Sequence, residues 1–152
     1  DGLIRAWGVS NLDTDDMQEL FAQPDGTHCA ANQVLYNVGS RGIEYDLLPL
    51  MRQHQIPVMA YCPLAQAGRL RRGLLNHPAL RQIAGEHHAT VPQILLAFLL
   101  AQPGVLPIPR TGSAQHAQQN AAAAEIRLSA EELALLDAAF PKPKRKTRLE
   151  IV

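Results

Sequence analysis

Short apolar runs alternate along this chain with longer amphipathic stretches, and the alternation predicts strands separated by helices. Ile4 to Val9 reads as a first strand. Asp13 offers an N-cap, and Thr14 to Phe21 reads as a helix with Met17, Leu20 and Phe21 on one face. Gln23-Pro24-Asp25-Gly26 is a turn. Ala30 to Leu35 is a second strand, Ile43 to His54 a second helix, and Ile56 to Tyr61 a third strand. In that second helix Pro49 is tolerable only near the first turn or at a kink. Leu64 to Gly73, rich in Arg, Ala and Gly, reads as a loop, and Pro78 to His87 as a short helix. Thr90-Val91-Pro92-Gln93 is a capping box that opens a helix running to Pro103-Gly104. Val105 to Pro109 is a fourth strand. Ser113 caps a helix toward Glu125, and Ser129-Ala130-Glu131-Glu132 opens a last one that ends at Pro141.

The predicted order is β-α-β-α-β-α-α-β-α-α. Strands separated by helices need crossovers, and crossovers give parallel sheets. The strands lack clean alternation, as strands buried on both faces do. The pattern fits either a small doubly wound sheet or half of a (β/α)₈ barrel. The chain has 152 residues, and a whole barrel typically needs about 250. One domain spanning 1–152 is expected.

Charge narrows the partners. Lys plus Arg and Asp plus Glu number 14 each, so no long-range field draws the chain to nucleic acid or an anionic membrane. The one basic run, Lys142 to Arg148, reads as a solvated tail. Cys29 and Cys62 match no metal or redox spacing and read as reduced, buried residues of a cytoplasmic protein. No apolar stretch is long enough to span a bilayer. His87-His88 lacks carboxylate or Cys partners and reads as solvent-exposed; His28, His54 and His77 fall in loops or at helix ends. Tyr36 and Tyr45 read as packing or rim residues. The chain opens on Asp1, almost directly on a strand-like run, as expected of a fragment.

The candidate chemistry sits at the strand ends. The first strand runs into Gly8-Val9-Ser10-Asn11, the second holds Asn32-Gln33, and the third ends Ala60-Tyr61-Cys62-Pro63-Leu64. The fourth ends Ile108-Pro109-Arg110-Thr111, with Asn120 one helix later. Taken singly, Tyr61 reads as a core aromatic, Ser10-Asn11 as a cap or turn, and Arg110 as a surface charge. In register at four successive strand ends, these segments resemble the second half of the aldo-keto reductase family. The likeness extends to Tyr36-Asn37, Leu128-Ser129 and Leu136-Asp137. It covers essentially the whole chain and implies the C-terminal half of that barrel, with the N-terminal half absent.

The resemblance implies a site for NADPH, with NADH possible. Ser10, Asn11 and Gln33 match residues that hold the nicotinamide carboxamide, and Tyr61 the aromatic on which the nicotinamide ring stacks. The backbone from Cys62 through Pro63 and Leu64 to Ala67 matches the loop over the pyrophosphate. Ile108 and Pro109 lead into Arg110, Thr111 and Ser113, which match the group that grips the adenosine 2′-phosphate; Ser113 also caps a helix whose N-terminus favours an anion. His116, Gln119 and Asn120 complete the adenine end.

Three positions depart from the family pattern. Arg110 stands where the family usually has Lys, keeping the charge and adding a bidentate fork. His116 stands where Arg is frequent, and Gln119 where Glu is common. The His116, Gln119, Asn120 set is similar to the bacterial branch of methylglyoxal-reductase-like members. The family's catalytic Tyr, Lys, Asp and His lie on the first four strands, and no residue here inherits those roles; the first lysine of this chain is Lys142. The implied parent is an NADP(H)-dependent reductase of aldehydes or ketones whose partners are a small carbonyl substrate and the N-terminal half-barrel. The fragment alone is expected to be inactive. Two rivals stand beside it: a non-enzymatic nicotinamide-nucleotide-binding regulatory module, and a phosphate-binding barrel enzyme of another class.

Overall fold

The computed structural model describes residues 2–66 and 68–152. Four strands, β1 (Val9–Ser10), β2 (Asn32–Leu35), β3 (Val58–Tyr61) and β4 (Val105–Pro107), form one sheet in the order β1-β2-β3-β4, every pair parallel. Between and after them lie α1 (Thr14–Phe21), α2 (Leu47–Gln53), α3 (Arg69–Leu75), α4 (Pro78–Glu86), α5 (Val91–Leu100), α6 (Ala114–Ala122) and α7 (Ala130–Ala139). Each new strand is added on the same side of the last. A doubly wound sheet reverses direction at a switch point, whereas a barrel does not. The architecture is therefore half of a (β/α)₈ barrel.

The pleat sends alternate residues to opposite faces. Asn32, Val34, Val58 and Ala60 are buried toward the helices. There the core gathers Val34, Val58 and Ala60 with Met17, Leu47, Leu48 and Met51, and with Leu80, Ile83, Ile94, Leu95, Phe98 and Leu136 from the later helices. The other face carries Gln33, Met59 and Leu106 in register, with Gln33 and Met59 half-buried and Leu106 exposed. That face is the inner wall of the half-barrel.

Local signals fix the helix starts. Asp13 and Asp16 form a capping box at α1, and Ser129 and Glu132 one at α7. Gln93 Oε1 accepts from the Thr90 N–H at 2.9 Å, closing the start of α5.

Several expectations need correction. The first strand is confined to Val9–Ser10, although Ala30 N–H already donates to Trp7 O at 2.8 Å. Leu3 and Ile4 are exposed and precede β1, which is an edge strand of the sheet. The second helix divides into a 3₁₀ turn (Gly42–Glu44) and α2, which puts Pro49 in the first turn of α2, where its missing N–H costs nothing. α3 starts within the segment read as a loop and runs past its end, anchored by buried Leu74, so the order gains one helix. The second, third and fourth strands are each shorter than predicted. The basic tail is pinned rather than freely solvated: Lys146 Nζ lies 2.6 Å from Asp13 Oδ1 and 2.9 Å from Asp46 Oδ2, and Lys142 pairs with Asp137. His87 does have a carboxylate partner, Glu132, at 2.7 Å. Cys29 is buried, but Cys62 is only half-buried.

Candidate functional site

The C-terminal ends of β1, β2 and β3 are tied together by polar side chains. Ser10 faces Gln33 in the parallel register, and Ser10 Oγ donates to Gln33 O at 2.9 Å. The Asn11 N–H donates to the same carbonyl at 2.9 Å. Asn11 adopts φ 57°, a left-handed conformation that Asn tolerates better than most side chains. This turns the chain off β1 and leaves its side chain where the Tyr61 hydroxyl, from β3, donates to Asn11 Oδ1 at 3.1 Å. Ser10, Asn11, Gln33 and Tyr61 therefore meet at one end of the sheet, with Tyr61 half-buried.

Two buried asparagines support this end. Asn32 Nδ2 donates to Leu12 O at 2.8 Å and holds the turn after β1. Asn37 Nδ2 donates to Cys62 O at 3.1 Å, while its Oδ1 accepts from Gly39 N–H at 2.9 Å. Cys62 sits at φ 48°, outside the usual range for its side chain, and Asn37 helps hold it there. Pro63 is buried and Leu64 half-buried as the chain leaves β3. Ala67, the last of the loop positions named from the sequence, lies outside the described residues.

The β4 end builds a second group. Ile108 N–H donates to Ala60 O at 3.1 Å, extending the ladder past Pro107, and half-buried Pro109 follows. Arg110 and Thr111 are exposed. Ser113 N–H donates to Thr111 Oγ1 at 3.1 Å, and Ser113 Oγ accepts from His116 N–H at 3.4 Å, capping α6. Leu64, Arg110, Thr111, His116, Gln119 and Asn120 line one cavity of about 490 Å³. Arg71, Thr90 and Pro92 complete its wall. None of these lining residues is a carboxylate, and neither Arg71 nor Arg110 has an ion-pair partner among the described residues. Two unpaired guanidiniums and a capped helix N-terminus favour an anion, and phosphate suits the planar forks of Arg. The sequence reading missed Arg71. The available signal was Leu74 three residues on, which makes 71 and 74 share one helix face.

A separate polar cluster lies under the loop after β2. Arg41 is buried and bonds Glu44 at 2.7 Å and Asp137 at 2.8 Å, with its guanidinium 5.1 Å from the Phe98 ring centre. The Tyr36 hydroxyl, also buried, donates to Glu44 Oε1 at 2.8 Å. Burial first, and the Glu44 charge second, push the Tyr36 phenol far above its ordinary range, so it stays neutral. This cluster joins the end of β2 to the end of α7.

The family model described as the aldo/keto reductase family matches residues 1–140. The chain belongs to that family. It is 58% identical over 151 residues to the methylglyoxal reductase YeaE of Escherichia coli, a match spanning 99% of this chain and 53% of that protein. It is 32% identical over 138 residues to the glyoxal reductase of Bacillus subtilis, covering 91% of this chain and 47% of that protein. An aldo-keto reductase of Klebsiella pneumoniae, solved in complex with NADPH, superimposes with a TM-score of 0.95 at 61% identity. That match covers 99% of this chain and 53% of the solved one. This aldo/keto reductase chain thus spans about half the length of the relatives it matches. Among its described residues no helix is long and apolar enough to cross a membrane, and no group of His, Cys, Asp and Glu is placed to hold a metal.

Proposed function

We propose that this chain forms the C-terminal half of an NADP(H)-dependent carbonyl reductase, carrying most of the cofactor site and none of the proton-donating machinery. The observation that carries the reading is the pairing of two groups at the same end of the sheet. One is the Ser10, Asn11, Gln33, Tyr61 cluster, and the other is the carboxylate-free cavity beside Arg110 and Thr111. The first group offers amide and hydroxyl partners for a carboxamide, with an aromatic ring beside them. The second offers cations and hydroxyls to a phosphate. The chemistry of the two donor sets fits the two ends of NADPH.

The bound cofactor supplies a hydride to a carbonyl carbon. In this chain Ser10, Asn11 and Gln33 orient the amide, Tyr61 backs the ring, and Arg110, Thr111 and Ser113 hold the 2′-phosphate. Cys62, Pro63 and Leu64 cover the pyrophosphate; Ile108 and Pro109 lead the chain to the phosphate group; His116, Gln119 and Asn120 face the adenine end. The proton for the product alcohol comes from a second half-barrel, which joins along the open edges of the sheet. Small dicarbonyls are the substrate class, supported by the names of the Escherichia coli and Bacillus subtilis relatives.

Dissociation constants for NADPH and NADH in the full-length protein test this reading. Arg110→Ala is expected to weaken NADPH by about 1–3 kcal/mol, as for loss of a charged hydrogen bond, and to leave NADH nearly unchanged. Equal weakening of both sinks the phosphate assignment. A non-enzymatic nucleotide-binding module shares this outcome and is distinguished by its failure to turn over methylglyoxal.

A further inference from the structure

We infer that Arg71 is a second phosphate-gripping residue and sets the preference for a 2′-phosphorylated nucleotide together with Arg110; this rests on the cofactor reading above. Arg110 follows β4 and Arg71 lies on α3, the first helix after β3, and the two arginines line one cavity. Arg69, Arg71 and Arg72 crowd the start of α3, yet only Arg71 is half-buried and lines the cavity; Arg69 and Arg72 are exposed. Helix geometry explains the choice. Leu74, buried at 2% exposure, turns its face of α3 inward, and Arg71 lies one turn before it on that face.

The charge count gives the purpose. A phosphate monoester carries nearly two negative charges at neutral pH. Arg110 supplies one permanent positive charge, and His116 is an imidazole rather than a permanent cation. Arg71 supplies the second permanent charge, and no carboxylate in the lining competes for either guanidinium. Two like charges facing one cavity repel, and an anion between them relieves that repulsion. Thr90 does not serve instead, because its hydroxyl is already bonded to Gln93 Oε1 at 2.9 Å.

Calorimetric titration of the full-length protein with adenosine 2′,5′-bisphosphate and with adenosine 5′-monophosphate isolates the 2′-phosphate. Arg71→Gln is expected to weaken the bisphosphate about tenfold, the low end for a charge-assisted hydrogen bond, and to shift the monophosphate less than about twofold. Arg71→Lys should recover part of the loss, and the salt dependence of bisphosphate binding should flatten in the Gln variant. Circular dichroism matching the parent protein shows that the fold is intact. Equal weakening of both ligands places Arg71 on the shared 5′-phosphate or in the fold and overturns the inference; so does no change in either. Arg110→Gln separates the two levels. If it weakens only the bisphosphate while Arg71→Gln does nothing, Arg71 alone is wrong; if it leaves both ligands unaffected, the reading of the cavity fails.

Discussion

Tyr61 carries two separable properties, a ring face and a hydroxyl. The hydroxyl is spent within the protein, on Asn11 Oδ1 at 3.1 Å, so Tyr61→Phe should cost about 0.5–1.5 kcal/mol of stability and leave nucleotide affinity nearly unchanged. Tyr61→Ala should lose the stacking surface and weaken NADPH and NADH together. Urea titration and fluorescence binding on the same variants check both halves, and a Phe variant that loses affinity would show that the hydroxyl, not the ring, faces the cofactor. Arg41 makes the contrasting case. Its side chain is 4% exposed and its partner Glu44 is 8% exposed. Burial alone would lower the Arg41 pKa, but the bonds and charges of Glu44 and Asp137 outweigh it and the net shift is upward. Arg41→Met should destabilise by about 3–5 kcal/mol, because it strands the Glu44 charge in the interior. Arg41→Met with Glu44→Gln should recover much of that loss in a denaturation series, and no recovery would mean that Arg41 acts chiefly through Asp137 and the Phe98 ring.

At the scale of elements, what was legible in the sequence was what is encoded locally. The caps Asp13, Thr90, Ser113 and Ser129 sit beside the helices they start, so α1, α5, α6 and α7 begin where the sequence placed them. The polar groups were named through the family resemblance: Ser10-Asn11, Tyr61 and Arg110 fall at the ends of apolar runs, while Gln33 lies within one. Long-range pairs leave no local signal. Lys146 meets Asp13 across 133 positions and Arg41 meets Asp137 across 96, so the tail looked solvated and nothing in the sequence singled out Arg41. The α3 helix was hidden for another reason: three arginines and a glycine dilute the pattern of Leu70 and Leu74 until only burial reveals it.

The Lys146 pin has its own pH signature. Burial pushes the Asp13 carboxyl up, but the Lys146 bond and charge and the Thr14 N–H outweigh it, and its pKa falls below the ordinary 3.8. Burial lowers the Lys146 pKa, yet Asp13 and Asp46 outweigh it and raise it above 10.5. A carboxyl with a lowered folded pKa contributes stability above its unfolded pKa and loses it as pH falls through the folded value. A lysine with a raised folded pKa contributes below its unfolded pKa and loses it as pH rises through the folded value. The stability gap between the parent and Lys146→Met should therefore be flat from about pH 5 to about pH 9 and shrink below about pH 4. Solvent screening keeps the gap small, since Lys146 is 37% exposed. Thermal melts across that range check it, and a gap that persists in acid would show that the lysine stem, not its charge, holds the tail.

For the whole molecule, the consequence of a half-barrel is two open sheet edges, and they are chemically different. Val58 N–H donates to Gly104 O and Ile108 N–H to Ala60 O, so the even-numbered residues of β4 bond to β3 and the odd-numbered ones face outward. Val105 N–H is taken by Gln102 O, and Pro107 and Pro109 have no N–H at all. From Val105 to Pro109 the outer edge of β4 offers no free donor. Prolines belong on such edges, where they block unwanted strand addition. The edge also carries exposed Leu106 and lies beside exposed Leu100, so apolar surface is available to any strand that docks. Pro107→Thr restores a donor at the centre of this edge. In the isolated chain it should raise concentration-dependent association, seen as a larger mass by light scattering. In the full-length protein, where we propose that the second half-barrel covers this edge, the same substitution should leave the mass unchanged. An association that rises equally in both would mean that the edge stays open in the longer protein, and that the two halves do not close along β4.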